Sequence, residues 1–225
     1  MGDNIEIYDY KGYKINIRHD PDPQNPRTDC DNLTTMACFH KRYNLGDKNH
    51  GFNQADYSSW DEMFADVVRK VKPAVIAQLF LYDHSGLRIK IGSFNGLLSQ
   101  GHAEFDSGPV GFVWISAEAA RLEYGWKKIT KARQLDLNEH LSFDVQVYDD
   151  YLSGSVYGYV IEDANGNEIK DGSCWGFFGH DSIKEDGDAV KQAKCTIDWP
   201  IQRPPKTSLP ENAVGQLALG LEGIS

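Results

Sequence analysis

The stretch VYGYVIEDANGNEIKDGSCWGFF, residues 156–178, carries the clearest fold signal in the chain. Two runs rich in β-branched and aromatic residues, 156–162 and 168–178, flank the pair Asn165-Gly166. An Asn-Gly pair suits the positive φ angles of a two-residue turn, so this pattern predicts a β-hairpin. The stretch therefore favours an antiparallel sheet that includes the C-terminal half of the chain.

Three further segments of the 225-residue chain have strand-like patterns. Apolar and polar residues alternate on both sides of residues 9–12, which predicts an N-terminal hairpin. Residues 74–82 and 110–115 are nearly continuous apolar runs of strand length. Such runs are typical of strands covered on both faces, and we expect residues 74–82 to lie centrally in a sheet.

About three helices are predicted between these strands. Ser59 and Glu62 fit a capping box before a helix over residues 60–71, and Ser116 can cap a short helix that ends near Gly125. Apolar residues that recur every three or four positions predict a longer helix over residues 130–152.

These elements predict an α+β fold with a mainly antiparallel sheet and a hairpin near each end. We expect a single domain over residues 1–199. After residue 199 the composition changes to Pro, Gly, Ser and small residues, which predicts an extended proline-rich tail over residues 200–225.

Composition excludes several classes of protein. Thirty-three acidic and 23 basic residues give a net charge of -10, which argues against direct nonspecific binding to nucleic acid and against binding an anionic membrane. No run approaches the ~20 apolar residues of a membrane helix, and the start lacks a signal-peptide pattern. Four scattered cysteines do not form a disulfide framework, so we expect free thiols and a cytoplasmic location.

The negative charge is concentrated in residues 143–188, which we call the acidic segment. It contains eleven acidic and two basic residues, a net charge of -9. Clustered charge is typical of a solvated face, but it also selects oppositely charged partners and speeds their encounter. The residues that we expect to bind such a partner are Asp149, Asp150, Glu162, Asp163, Glu168 and Asp171.

Polar residues lie at the ends of the two apolar runs. Asp83 and His84 follow residues 74–82, and Asp106 precedes residues 110–115. If these strands pair antiparallel, the three side chains meet at one edge of the sheet and form a pocket. Carboxylates and an imidazole there could hold a divalent cation, or the histidine could act as a base. The alternative is ordinary turn chemistry, with Asp as a cap.

The densest polar block spans residues 29–47 and adds Asp31, Asn32 and His40 to the ligand-binding candidates. The alternative is that these residues form turns after the prolines at 21, 23 and 26 and occupy core edges. Zinc binding by Cys30, Cys38 and His40 with a distant cysteine stays open, although the spacing resembles no closed zinc site. No metal or cofactor is assigned, and no P-loop motif occurs.

Several blocks of the chain resemble a family of small phage-encoded hypothetical proteins. These blocks are DNLTTMACFHKRYNLGD at 31–47, LYDHSG at 81–86, FDSGPVG at 105–111, DYLSGSVYGY at 150–159 and SCWGFFG at 173–179. The resemblance covers about residues 10–180, and Thr34 stands where glycine is common. It implies a phage gene product acting in the cytoplasm of a bacterial host, with no activity or catalytic residues attached.

Three functions follow as hypotheses. The leading one is a phage accessory protein that uses its acidic segment to bind and block or redirect a host protein with a basic surface, such as an anti-defence factor acting on a nucleic-acid-handling complex. The second is a metal-dependent hydrolase of a nucleotide or phosphoester, with Asp83, His84 and Asp106 as ligands. The third is a small-molecule sponge with a pocket lined by aromatic residues of 175–178. An exposed hairpin edge and the tail also allow self-association.

Overall fold

The structure is a computed structural model that describes residues 3–84, 86–97 and 105–202, with side chains up to residue 199. These residues form eight strands: β1 Glu6–Tyr10, β2 Tyr13–His19, β3 Thr35–Cys38, β4 Pro73–Asp83, β5 Leu87–Ile91, β6 Ser107–Ser116, β7 Val156–Glu162 and β8 Glu168–Phe178. The α-helices of the same residues are α1 Trp60–Val71, α2 Ala117–Tyr124, α3 Lys131–Leu152 and α4 Asp188–Gln202. Short 3₁₀ turns lie at Gln54–Asp56 and His180–Ile183. The predicted α+β class is confirmed.

The first sheet has the order β1-β2-β7-β8 and is antiparallel throughout. It contains both predicted hairpins. In the N-terminal one, Lys11 and Gly12 have φ angles of 50° and 83°, the positive values that a tight two-residue turn requires. Helix α4 covers one face, where Val190 and Ile197 pack with Ile15, Ile17 and strand β7.

The second sheet has the order β3-β6-β4-β5, so β4 and β6 are the inner strands, as predicted for residues 74–82. Side chains of β6 alternate between two cores: Val113 and Ile115 face helix α3, and Phe112 and Trp114 face helix α1. Strand β4 differs from the expectation of burial on both faces. Its buried side chains belong to the α3 core, while most of its other positions are only half-buried.

The helix caps form largely as the sequence indicates. The Ser59 hydroxyl accepts from the Glu62 amide at 3.1 Å, while the Glu62 carboxylate accepts from the amide and hydroxyl of Ser58 instead of Ser59. Ser116 and Thr130 cap α2 and α3 in the same way. None of the helices in the described part of the chain is both long and apolar enough to cross a membrane.

Helix α4 was not predicted. Apolar residues Ala189, Val190, Ala193 and Ile197 have helical spacing and are buried against the first sheet. The helix continues to Gln202, into the range assigned to the tail. Residues 203–225 of the predicted tail lie outside the described residues.

Buried Arg27 joins the loop that contains the prolines at 21, 23 and 26, called here the proline-rich loop, to the second sheet. The Arg27 guanidinium donates to both carboxylate oxygens of Asp47, at 2.9 and 2.7 Å, and to the Thr34 hydroxyl at 3.0 Å. That hydroxyl donates in turn to Asp144 of α3 at 2.6 Å. Asp47 also accepts from the Met36 amide in β3 at 2.8 Å. Thr34 thus links the loop to α3 through a hydroxyl that glycine lacks.

Candidate functional site

Four of the predicted ligand-binding residues meet at one edge of the second sheet. The antiparallel register places Tyr82 opposite Ser107, which brings Asp83 and Asp106 together. Both line a cavity of about 350 Å³, together with His40. His84 joins them through an ion-pair contact of 3.2 Å between its Nδ1 and the Asp106 carboxylate. The predicted pocket is thus formed in part: Asp83 and Asp106 line one cavity, whereas His84 contacts Asp106 without being one of the lining residues.

Charge pairs dominate this sheet-edge site. Asp83 forms an ion pair with Arg42 and accepts a long hydrogen bond of 3.5 Å from the Tyr43 hydroxyl. His40 stacks on the Tyr43 ring, with 5.0 Å between ring centroids. Among the residues that the structure describes, no group of three His, Cys, Asp or Glu side chains is arranged to hold a metal ion. The arrangement suits recognition of a polar ligand by charge and hydrogen bonds.

The other two ligand-binding candidates lie elsewhere. Asn32 donates from its side-chain amide to the carbonyl oxygens of Pro26 and Cys30, at 2.7 and 2.9 Å. These bonds shape the loop after the prolines, which is the turn interpretation of this residue. Asp31 is exposed and is not among the residues that line the sheet-edge cavity.

A second, larger groove lies where α3 meets the end of β8 and the 3₁₀ turn His180–Ile183. It has a volume of about 870 Å³, and Arg88 is its only lining residue from outside the acidic segment. We call it the Asp150 groove, because Asp150 lies in it with its carboxylate beside Gly179. A Cβ atom on Gly179 would lie 2.9 Å from Oδ2 of Asp150, so glycine leaves this carboxylate room.

Burial sets the electrostatics of Asp150. Its half-buried side chain accepts from the Gln146 amide at 3.2 Å, but desolvation outweighs this bond and raises the pKa of the carboxyl. Among the described residues, no Lys or Arg forms an ion pair with Asp150. The groove therefore contains a carboxylate that is partly removed from water and forms no ion pair among the described residues, although the nearby charge of Arg88 partly opposes the rise of its pKa.

Arg88 does not form an ion pair with Asp150 because it is hydrogen-bonded to the neighbouring residue, Asp149. Its Nε donates to both oxygens of Asp149, at 3.0 and 2.9 Å, and its Nη2 donates to one of them at 2.6 Å. Asp149 is only 4% exposed and also accepts from the Ile89 amide at 2.7 Å. Although predicted as a partner-binding residue, Asp149 instead fastens β5 to α3 inside the protein.

The remaining partner-binding candidates divide into bound and exposed residues. Glu162 is half-buried and pairs with Arg18 at 3.5 Å. Asp163 accepts from the Asn167 and Asn165 amides, at 2.9 and 2.8 Å, in the hairpin turn, and these hydrogen bonds lower its pKa. Glu168 and Asp171 are exposed. Four exposed acids were missed as site residues, although they lie in the same segment: Asp181, Glu185, Asp186 and Asp188.

The aromatic run expected to line a sponge pocket is split between two places. Phe177 and Phe178 line the Asp150 groove. Trp175 instead packs across Gly158 of the neighbouring strand, where a Cβ atom would lie 2.2 Å from its ring. All four cysteines are free thiols, and burial raises the pKa of the Cys38 thiol to about 12.

No protein-family model, curated protein or solved structure matches this chain. The function must therefore be argued from the residues and their geometry.

Proposed function

We propose that this protein is a binding protein that docks through its acidic segment onto a basic surface of another protein. The observation that carries the proposal is the Asp150 groove, which residues of the acidic segment line almost entirely. Asp181 and Asp188 also line this groove and are exposed. A groove lined by carboxylates is complementary to a positively charged surface of a partner.

Exposed acids beyond the groove extend this negative surface. Glu168, Asp171, Glu185 and Asp186 are exposed, and none of them has an ion pair among the described residues. Unpaired exposed carboxylates attract a basic surface over about 8 Å at physiological ionic strength. They would speed the encounter, while the groove would supply close contacts.

The proposed partner class takes up the resemblance to phage-encoded proteins as a prediction. A phage accessory factor acts on the proteins of its bacterial host, and basic surfaces are typical of proteins that handle nucleic acid. The proposed partner is therefore a host protein of a defence or nucleic-acid-handling complex. The net charge of -10 is moderate for 225 residues, so the proposal involves one acidic face and not mimicry of DNA along the whole molecule.

A pull-down from bacterial lysate with three baits tests the proposal. The baits are the wild type, the triple variant Glu168→Lys/Glu185→Lys/Asp186→Lys, and a control triple variant, Asp22→Lys/Glu123→Lys/Asp136→Lys, with the same change of charge at exposed acids outside the segment. We expect one host protein to be retained by the wild type and the control, lost by the segment variant, and displaced by added duplex DNA. Equal retention by all three baits, or no displacement by DNA, would contradict the proposal.

The sheet-edge site supports a second candidate function. Convergence of Asp83, His84 and Asp106 is the geometry that the hydrolase hypothesis requires, although the described residues offer no three-ligand metal group. Hydrolysis of a p-nitrophenyl phosphodiester with added Mn²⁺ or Zn²⁺ tests it. Turnover lost in Asp106→Asn but retained in the exposed control Asp22→Asn would support this candidate, and absence of turnover in the wild type would reject it.

A further inference from the structure

The partly buried carboxylate of Asp150 has no cationic partner in an ion pair among the described residues. A carboxylate removed from water is costly unless a cation or several hydrogen-bond donors compensate it. Asp150 has a single side-chain donor, Gln146, and no ion pair among the described residues. A cation that entered the groove would form an ion pair with Asp150 and so offset the cost of removing its carboxylate from water.

The walls of the groove suit a flat cation. Phe143, Phe177 and Phe178 line it, and Phe143 is 66% exposed although it is a large apolar side chain. Aromatic faces next to a carboxylate favour a guanidinium, which stacks on rings and donates several hydrogen bonds in one plane. The hydroxyls of Ser153 and Ser155, 3.0 Å apart, also line the groove and can accept such bonds.

The charges around the groove disfavour an anionic occupant. Its lining acids are Asp150, Asp181 and Asp188, and its lining arginine, Arg88, is bound to Asp149. Lys184 pairs with Asp181 at 2.5 Å, with both side chains more than half exposed, so that pair contributes little to holding a ligand. The volume of about 870 Å³ exceeds what one guanidinium fills, which leaves room for flanking residues of the same partner segment.

We infer that the Asp150 groove is the anchor pocket for an arginine side chain of the basic partner, with Asp150 as the ion-pairing residue and Phe143 as the stacking residue. The inference rests on the proposed function and deepens it, because it names the side chain that the acidic surface recognises. Hot spots of protein interfaces are enriched in arginine held in such pockets.

Fluorescence anisotropy with labelled nona-arginine and nona-lysine peptides tests the inference. We expect the wild type to bind nona-arginine several-fold more tightly than nona-lysine, because only guanidinium can both stack and donate in a plane. Asp150→Asn should weaken binding of nona-arginine about tenfold, while the exposed control Asp22→Asn leaves it unchanged. Phe143→Ala should weaken it about threefold, whereas Leu135→Ala, a control on the same helix with the same 66% exposure, should not.

The outcomes separate the inference from the proposed function. Wild-type affinity in both Asp150→Asn and Phe143→Ala would overturn the arginine pocket; if the Glu168/Glu185/Asp186 variant still loses affinity, the acidic surface stands as the binding face. No measurable binding by the wild type, or equal binding by that variant, would overturn both. Should Asp150→Asn fail to fold, Phe143→Ala decides alone, because its exposed side chain has little role in stability.

Discussion

At the scale of single residues, the neighbours Asp149 and Asp150 have opposite roles. Asp149 is buried and forms an ion pair with Arg88, whereas Asp150 is half-buried and forms no ion pair among the described residues. Sequence alone gave both the same expected role, because two adjacent acids in an acidic stretch cannot be distinguished without knowing which side of the helix faces the sheet. The side of α3 that carries Asp149 meets β5, and this decides the difference.

Removing the Asp149 carboxylate should destabilise the protein. Asp149→Ala leaves the buried Ile89 amide without an acceptor and Arg88 without its partner, which should cost about 2–3 kcal/mol. Urea unfolding followed by circular dichroism measures this. Glu123→Ala, at an exposed acid, is the control and should change the free energy of unfolding by less than about 0.5 kcal/mol. A loss of similar size in both variants would contradict the role of Asp149.

Asp150→Asn should have the opposite effect on stability at neutral pH. Burial, with Asp149 and Asp181 nearby, raises the pKa of Asp150 in the folded state, and Arg88 only partly opposes this. The folded protein therefore takes up this proton at higher pH than the unfolded chain, so the stability it contributes is present at low pH and is lost as pH rises through the raised pKa. The variant should be more stable than the wild type at pH 7.

Unfolding measured at a series of pH values checks the sign of this effect. The difference between wild type and Asp150→Asn should shrink as pH falls below the raised pKa, because both side chains are then neutral. A variant that is less stable at pH 7, or a difference that grows on acidification, would show that Asp150 is held by favourable interactions instead of being desolvated.

At the scale of elements, local chemistry made the hairpins and most helices predictable. The bounds of β7 and β8 match the predicted runs because the Asn165-Gly166 turn sets them locally, and Ser59 and Ser116 cap helices where expected. Thr130, predicted as the first residue of the long helix, is its cap. Pairings between distant strands, such as β2 with β7 and β3 with β6, have no local signal. Helix α4 was missed, although Ala189, Val190, Ala193 and Ile197 have helical spacing and lie before the proline.

The ion pair of Arg27 with Asp47, which joins the proline-rich loop to the second sheet, gives a further test. Arg27→Met removes the buried pair with Asp47 and should cost about 3 kcal/mol of unfolding free energy. Hydrogen exchange at the Met36 amide should also become faster, since Asp47 is its acceptor. Arg69→Met is the control, because Arg69 is 71% exposed and its surface pair with Asp66 contributes little to stability. Equal losses would contradict the structural role of Arg27.

At the scale of the whole molecule, the distribution of charge along the sequence differs from its distribution in the folded protein. The acidic segment carries -9 by residue count, yet Arg88 and Arg18 from outside it pair with Asp149 and Glu162. The sequence could therefore predict where acids are dense but not which of them stay available. The Asp150 groove also depends on contacts among α3, β8 and a 3₁₀ turn, which no local pattern indicates. The sheet-edge convergence was predictable because it needed only two strand ends and one antiparallel pairing.

The association rate with a basic partner, measured against ionic strength, tests whether the acidic segment is a docking surface. Stopped-flow mixing with nona-arginine would compare the wild type with two triple variants, Glu168/Glu185/Asp186 to lysine and Asp22/Glu123/Asp136 to lysine. Both variants differ from the wild type by the same net charge. We predict that the wild type and the control associate fast with a steep salt dependence, while the segment variant associates more slowly with a shallower one. Identical rates and salt slopes for the two variants would show that only net charge matters and that the acidic segment is no docking surface.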